Sequence, residues 1–259
     1  MTRKTTKPRF RPPTPAIRRR RAGFTLIELA VALTIVLMIV TMVVPTLSQM
    51  LTSRANMEAF NLIAAQLSAS RAEAITSDTY AGIHVQLDDE TDMSEKTAYS
   101  TIIAYDETNS VFRNYIERPG QASNFSFLPQ ELPGGTAMGK LTSNFVTDAN
   151  PGKYKGLSSD ANLEDFCAFS VIFSPDGTLV KHVKGNNIMF ASGDPMFTGS
   201  NTKLWDFGVA NNKQGVTAFT MFDYRELQKR EAAARIDYLD QNGQFMPVNM
   251  HTGQLFDRQ

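Results

Sequence analysis

The sequence predicts an α+β chain: a long N-terminal α-helix, its first half apolar enough to span a membrane, packed on a small antiparallel β-sheet domain with a short late helix. Three observations predict it. From Leu29 to Val44 the chain is apolar except for Thr34 and Thr41. No Gly or Pro interrupts residues 46–78, where the pattern turns amphipathic at helical spacing. Beyond that point, β-branched and aromatic residues recur between turn signals as far as Phe222.

The head comes first. Of the 26 Lys+Arg, nine lie in residues 1–23 with no acid among them, including the run Arg18 to Arg21. The formal net charge of +0 therefore conceals a basic head on a body in which 17 basic residues face 26 acidic ones, a net of −9. A basic block before an apolar run is a targeting pattern before it is a fold pattern. A hydrophobic content of 42% supplies a core and excludes a wholly disordered chain. One cysteine excludes an intramolecular disulfide framework and a Cys-rich zinc site.

From Phe24 to Val44 the chain as a helix spans roughly 32 Å, close to the ~30 Å hydrocarbon core of a bilayer. The arginines in front hold the N-terminus in the cytoplasm and send the bulk of the chain to the far side. Glu28 is out of place here. A carboxylate in a membrane segment costs up to about 3 kcal/mol, less near a helix end, and so calls for a partner or for a wet interface.

The sequence Gly23-Phe24-Thr25-Leu26-Ile27-Glu28-Leu29 behind a basic leader resembles the processing site of type IV prepilins and type II secretion pseudopilins. The resemblance implies that a membrane peptidase cuts between Gly23 and Phe24 and that Phe24 is N-methylated. It further implies that Glu28 meets the N-terminal amine of a neighbouring subunit during assembly. Pro45 stands as far from Phe24 as the helix-weakening proline common in that family, and proline removes a helical hydrogen bond and kinks a rod. Two other readings of the head remain. One is a twin-arginine export signal with a distant, poor cleavage site at Leu67-Ser68-Ala69-Ser70; the other is an unprocessed signal anchor. Glu28 inside the run and the lack of a close A-x-A site count against the export signal.

Residues 24–45 are thus expected as the transmembrane, filament-core half of one helix, and residues 46–78 as its amphipathic stem. Phe60, Ile63, Leu67, Ala74 and Ile75 form the expected apolar face, and Asp78 marks the end. The stretch Leu67 to Ile75 followed by a strand resembles the stem end of minor pseudopilins of the GspH/FimT type. The strand Val171-Ile172-Phe173 entering Ser174-Pro175-Asp176-Gly177-Thr178 is a second, weaker likeness.

Residues 79–259 are expected to form an extracytoplasmic β-rich domain. Its strands read as Tyr80–Leu87, Ala98–Asp106, Val111–Ile116, Phe166–Phe173, Thr178–Lys184, Ile188–Ala191 and Val216–Phe222. Residues 117–165 carry many Pro and Gly and read as a loop-rich, surface-exposed insertion. Residues 224–240, rich in Glu, Lys, Arg, Ala and Leu, read as one late helix. That helix and the tail depart from the GspH/FimT pattern.

No catalytic constellation stands out, and no cofactor or metal is expected. His84, His182 and His251 lie far apart in sequence, and Cys167 reads as a buried, inert thiol on an apolar strand. Asp88, Asp89, Glu90, Asp92 and Glu95 form an acidic tip, but they lack the spacing of a calcium loop. Arg225, Lys229, Arg230 and Arg235 make the densest basic patch outside the head. They are interleaved with Glu226, Glu231 and Asp237, so nucleic acid is not an expected partner.

The expected function is structural. The protein reads as a single-pass inner-membrane subunit, a minor pseudopilin, that a prepilin peptidase processes and that assembles with other pilin-like subunits and an inner-membrane assembly platform. Its work is to help export folded proteins. A minor type IV pilin serving adhesion, motility or DNA uptake is the alternative.

Overall fold

The computed structural model describes residues 25–88, 92–116, 125–147, 150–157, 159–183 and 215–256. Helix α1 runs from Leu26 to Thr76 and continues through Pro45. Strands β1 (Ala81–Leu87), β2 (Ala98–Asp106), β3 (Val111–Arg113), β4 (Tyr115–Ile116), β5 (Phe125–Ser126) and β6 (Gln130–Glu131) follow. Next come β7 (Thr136–Lys140), β8 (Val146–Thr147), β9 (Asn150–Tyr154), helix α2 (Asp160–Cys167), β10 (Phe169–Phe173) and β11 (Leu179–Val180). The chain closes with β12 (Ala218–Asp223), α3 (Tyr224–Gln228), α4 (Ala232–Asn242) and β13 (Gln244–Pro247). Two compact units divide at Leu47/Ser48.

The main sheet has the order β11-β10-β1-β2-β3, with β6 also on β2, and its pairs are antiparallel. A second antiparallel sheet has the order β13-β12-β7. The expected α+β architecture, a helix packed on antiparallel sheet, is the one observed. Register explains why β1 is buried on both faces. Ala81, Ile83, Val85 and Leu87 point with Phe173, Val171 and Phe169 into the core shared with α1. Gly82, His84 and Gln86 point the other way, where Ile103, Phe112, Ile172 and Val183 form a second cluster. Gly82 is required there, because a Cβ would stand 2.1 Å from the Val171 carbonyl oxygen.

Stem residues Ala59, Ile63, Leu67, Ser70 and Ala74 are fully buried at spacings of four and three, the stripe of an amphipathic helix. Phe60 only packs against the core's edge and Ile75 is exposed, so the apolar face is rotated from the one expected. The helix ends in a Schellman turn: Asp78 takes φ 50 and the Thr79 amide donates to the Ala74 carbonyl at 3.2 Å.

Four expectations are corrected. The segment 117–165 is not merely a surface excursion. Its strand β7 is buried throughout and pairs with β12, and Leu132, Phe145, Tyr154, Leu157 and Leu163 enter the core. Phe166 and Cys167 end helix α2 instead of opening a strand, because Ser159 caps that helix through the Asn162 amide at 3.2 Å. The strand expected over Val111–Ile116 breaks at buried Asn114, whose side chain donates to the Phe127 carbonyl at 3.2 Å. The late helix is two helices, since Asp223 caps α3 through the Glu226 amide at 3.2 Å and Glu231 begins α4. The expected strand Ile188–Ala191 lies outside the described residues.

Candidate functional site: the helix start and the stem clamp

The chemistry of assembly falls on the first turn of α1. Gly23 and Phe24 lie outside the described residues. Thr25 is the N-cap: its carbonyl accepts the first helical bond, from the Leu29 amide at 3.1 Å. Its hydroxyl accepts from the Glu28 amide at 3.3 Å. Glu28 answers, its Oε2 accepting from the Thr25 amide and from the Thr25 hydroxyl, both at 2.8 Å. This is a reciprocal capping box, formed because threonine and glutamate stand three residues apart at a helix start. Both side chains are exposed.

From Leu26 to Val44 the helix is long and apolar enough to cross a membrane, and none of that span is buried. Such a continuous apolar face in water would be a liability; a bilayer or a bundle of like helices removes it. Thr34 and Thr41 fit the same setting, since each hydroxyl turns back to a helical carbonyl, Ala30 at 2.8 Å and Met38 at 2.9 Å. Helix α1 includes Pro45 in its backbone.

The stem is held to its sheet at both ends. Arg71 donates through Nε to the Gly177 carbonyl at 2.9 Å. Gly177 takes φ +78 in the Pro-Asp-Gly turn, which glycine adopts without strain. Asp176 braces the turn by accepting from the Ser174 hydroxyl and, at 3.1 Å, from the Thr178 amide. These bonds hold its carboxyl below the usual range. Nearer the membrane half, Gly134 lies so close to α1 that a Cβ would stand 2.3 Å from the Ala55 Cβ. The turn singled out in the sequence is therefore a docking point for the stem.

His84 meets one partner that lies far from any local sequence pattern. Its Nδ1 lies 2.8 Å from Ser170 Oγ on the neighbouring strand, and its Nε2 lies 3.0 Å from Gln86 Oε1. An amide oxygen only accepts, so Nε2 carries the proton and Nδ1 accepts from Ser170. A serine beside a histidine suggests acyl chemistry, but His84 and Ser170 are 1% and 3% exposed, so the pair faces the interior and not the surface. Burial takes the imidazole down to about 4, with Lys140 adding to the effect and the Gln86 hydrogen bond opposing it. Cys167 is buried too, and burial pushes its thiol up, which keeps it inert.

Helix α2 gathers three ion pairs, from the loop before β2, from β7 and from α4. Lys96 reaches Glu164 at 3.2 Å, Lys140 reaches Asp165 at 2.9 Å and Arg235 reaches Asp160 at 2.9 Å. Arg235 thus leaves the expected basic face for the interior. Of the others, Lys229 pairs with Glu226 at 2.5 Å, and Arg230 lies over the Tyr238 ring at 4.9 Å. Among the described residues no group of three or more His, Cys, Asp or Glu is placed to hold a metal. Asp89 and Glu90 of the acidic tip lie outside the described residues, while Asp92 accepts from the Ser94 amide at 2.9 Å.

Residues 18–44 match the prokaryotic N-terminal methylation motif. The match supports a type IV pilin-like subunit and takes in Gly23, Phe24 and Glu28 together with the apolar span. It spans the head and the anchor and does not reach the body. Proteins with this motif are structural rather than enzymatic. No characterised protein and no solved structure matches the chain significantly.

Proposed function

We propose that the mature chain is a minor pseudopilin of a type II secretion system, of the GspH/FimT type, which joins a pilus-like filament and helps move folded proteins outward. The methylation motif at the head of a wholly exposed apolar helix carries this reading. In it, residues 1–23 are a leader that a prepilin peptidase removes, and Phe24 becomes the methylated N-terminus. Residues 24–45 cross the inner membrane with the N-terminus cytoplasmic, and residues 46–78 form the stem. Residues 79–259 lie on the extracytoplasmic side. In the filament, Glu28 sets register by meeting the amine of a neighbour's Phe24, a charge-assisted contact that gains strength away from water. Pro45 eases the bending of the helix within the bundle.

Processing is the direct test. Co-expressed with a prepilin peptidase, the chain loses residues 1–23 and shows an N-terminal mass that fits methylated Phe24. Gly23→Val blocks the cut by crowding the scissile bond. An intact N-terminus in the wild-type chain would end the assignment. Deleting the gene then separates the two kinds of filament: lost export of folded proteins fits the pseudopilin, whereas lost motility, adhesion or DNA uptake with export intact fits a minor type IV pilin.

A further inference from the structure

We infer that the pocket between the β1–β2 turn and the start of α3 binds a carboxylate of a partner polypeptide, with the Arg225 guanidinium as its anchor. This site is independent of the role proposed for α1.

The pocket has a volume of about 310 Å³, enough for a small ligand or the end of a chain. Arg225 lines it, exposed, and among the described residues its side chain has neither a hydrogen-bond nor an ion-pair partner. The side chain is nevertheless packed. It lies along Gly135, where a Cβ would stand 2.7 Å from Nε and 2.9 Å from Cδ. Tyr224 beside it is tied twice, its hydroxyl donating to the Met93 carbonyl at 3.1 Å and accepting from Gln228 Nε2 at 2.7 Å. Ordering the guanidinium in advance lowers the cost of binding. Lys96 adds a second donor. Its side chain is only 6% exposed, and its ammonium uses two N–H groups, on the Asp88 carbonyl at 2.8 Å and on Glu164 at 3.2 Å. An ammonium has three, so one N–H in the pocket wall has no acceptor, and a ligand oxygen supplies it. The charge balance selects the ligand. Glu164 neutralises Lys96, which leaves Arg225 and Glu95 in the wall, not paired with each other. A doubly charged phosphate gains little there, because Glu95 repels it. A carboxylate carries one charge and two coplanar oxygens that match the guanidinium fork. Glu95 and the Thr97 hydroxyl, which has no partner among the described residues, then accept the N–H groups that a polypeptide brings beside its carboxylate.

The test is calorimetric titration of the full chain in detergent micelles. Its probes are N-acetylated tetra-alanine with a free C-terminal carboxylate, the same peptide as its amide, and an amidated peptide with an internal aspartate. Acetate and inorganic phosphate are titrated in parallel. At least one of the two carboxylate peptides is expected to bind more tightly than the amide, and which one does so tells a chain terminus from an acidic side chain. Arg225→Gln is expected to weaken that binding about tenfold, the scale of a lost charge-assisted hydrogen bond. Arg225→Lys is expected to recover only part of it, because an ammonium cannot make two parallel bonds. Circular dichroism of both variants should match wild type, since the side chain they replace is exposed and unpaired. Binding of the amide peptide as tight as that of the acids, or binding unchanged in Arg225→Gln, would overturn the assignment. So would a failure of every probe to bind. Acetate binding as tightly as the peptides would replace the polypeptide with a small free acid, and tighter binding of phosphate would refute the charge argument; either result also overturns it.

Discussion

The Phe166 ring, on the last turn of α2, lies against the backbone of Gly139 in β7, so closely that a Cβ on Gly139 would stand 2.0 Å from ring carbon Cε1. Phe166 also stacks on Phe222 at 5.8 Å and meets Phe145 edge-on at 5.3 Å. A glycine in a buried strand is thus the floor for the ring at the centre of the core. Gly139→Ala is expected to destabilise the fold by about 2 kcal/mol, the usual cost of overpacking. Adding Phe166→Leu should recover part of that loss. Denaturant titration of the two single variants and the double measures the coupling, and additive losses would show that the contact does not matter.

A fragment beginning at Ser48 is expected to fold without the apolar half of α1. The division between the two compact units falls at that residue, and none of the span Leu26–Val44 is buried. Circular dichroism should show mixed helix and strand, and thermal melting should be unchanged by chelators. A melting temperature that drops with EDTA would restore a metal role to the acidic tip.

Stability is expected to fall as pH drops from about 6.5 to about 4. Buried His84 titrates near 4 in the fold and near its ordinary value of 6.5 when unfolded. Between those values the unfolded chain takes up a proton that the fold refuses. The contribution is therefore fully present above about 6.5 and lost progressively as pH falls towards 4. At most it amounts to about 3 kcal/mol. His84→Asn should flatten this part of the profile, read from denaturation midpoints across pH. An unchanged slope would place the sensitivity elsewhere.

Arg71 ties the stem to the Pro-Asp-Gly turn, and Gly253 at φ +69 leaves room for it, since a Cβ there would stand 3.3 Å from Arg71 Cδ. Arg71→Leu should cost about 1–2 kcal/mol, the loss of a charged hydrogen bond at a half-buried site. It should also raise the rate at which proteases cut near the end of α1. A cutting pattern like that of wild type would mean that the buried stripe from Ala59 to Ala74 holds the stem without the clamp.

The sequence by itself determined the apolar N-terminal segment of this protein, up to Val44. A basic head, the glycine–phenylalanine pair, Glu28 and an apolar run to Val44 relieved only by Thr34 and Thr41 are local patterns whose meaning depends on nearby residues and on the bilayer. The strands at 81–87 and 98–106 were legible for the same reason, since alternation and turn residues are encoded within each segment. Only the tertiary structure decided the rest. Residues 136–140 read as loop because Gly139 and Lys140 are weak strand formers. They become a core strand because β12 supplies the hydrogen bonds, Phe166 fills the space over Gly139, and Asp165 neutralises Lys140. Helix α2 was hidden because its acidic residues resemble solvent-facing ones until buried Lys96, Lys140 and Arg235 meet them from distant parts of the chain. His84 and Ser170 are 86 residues apart and touch only because β1 and β10 pair in one register. Short-range physics is written in neighbouring residues, whereas long-range pairing depends on contacts whose partners no local window contains.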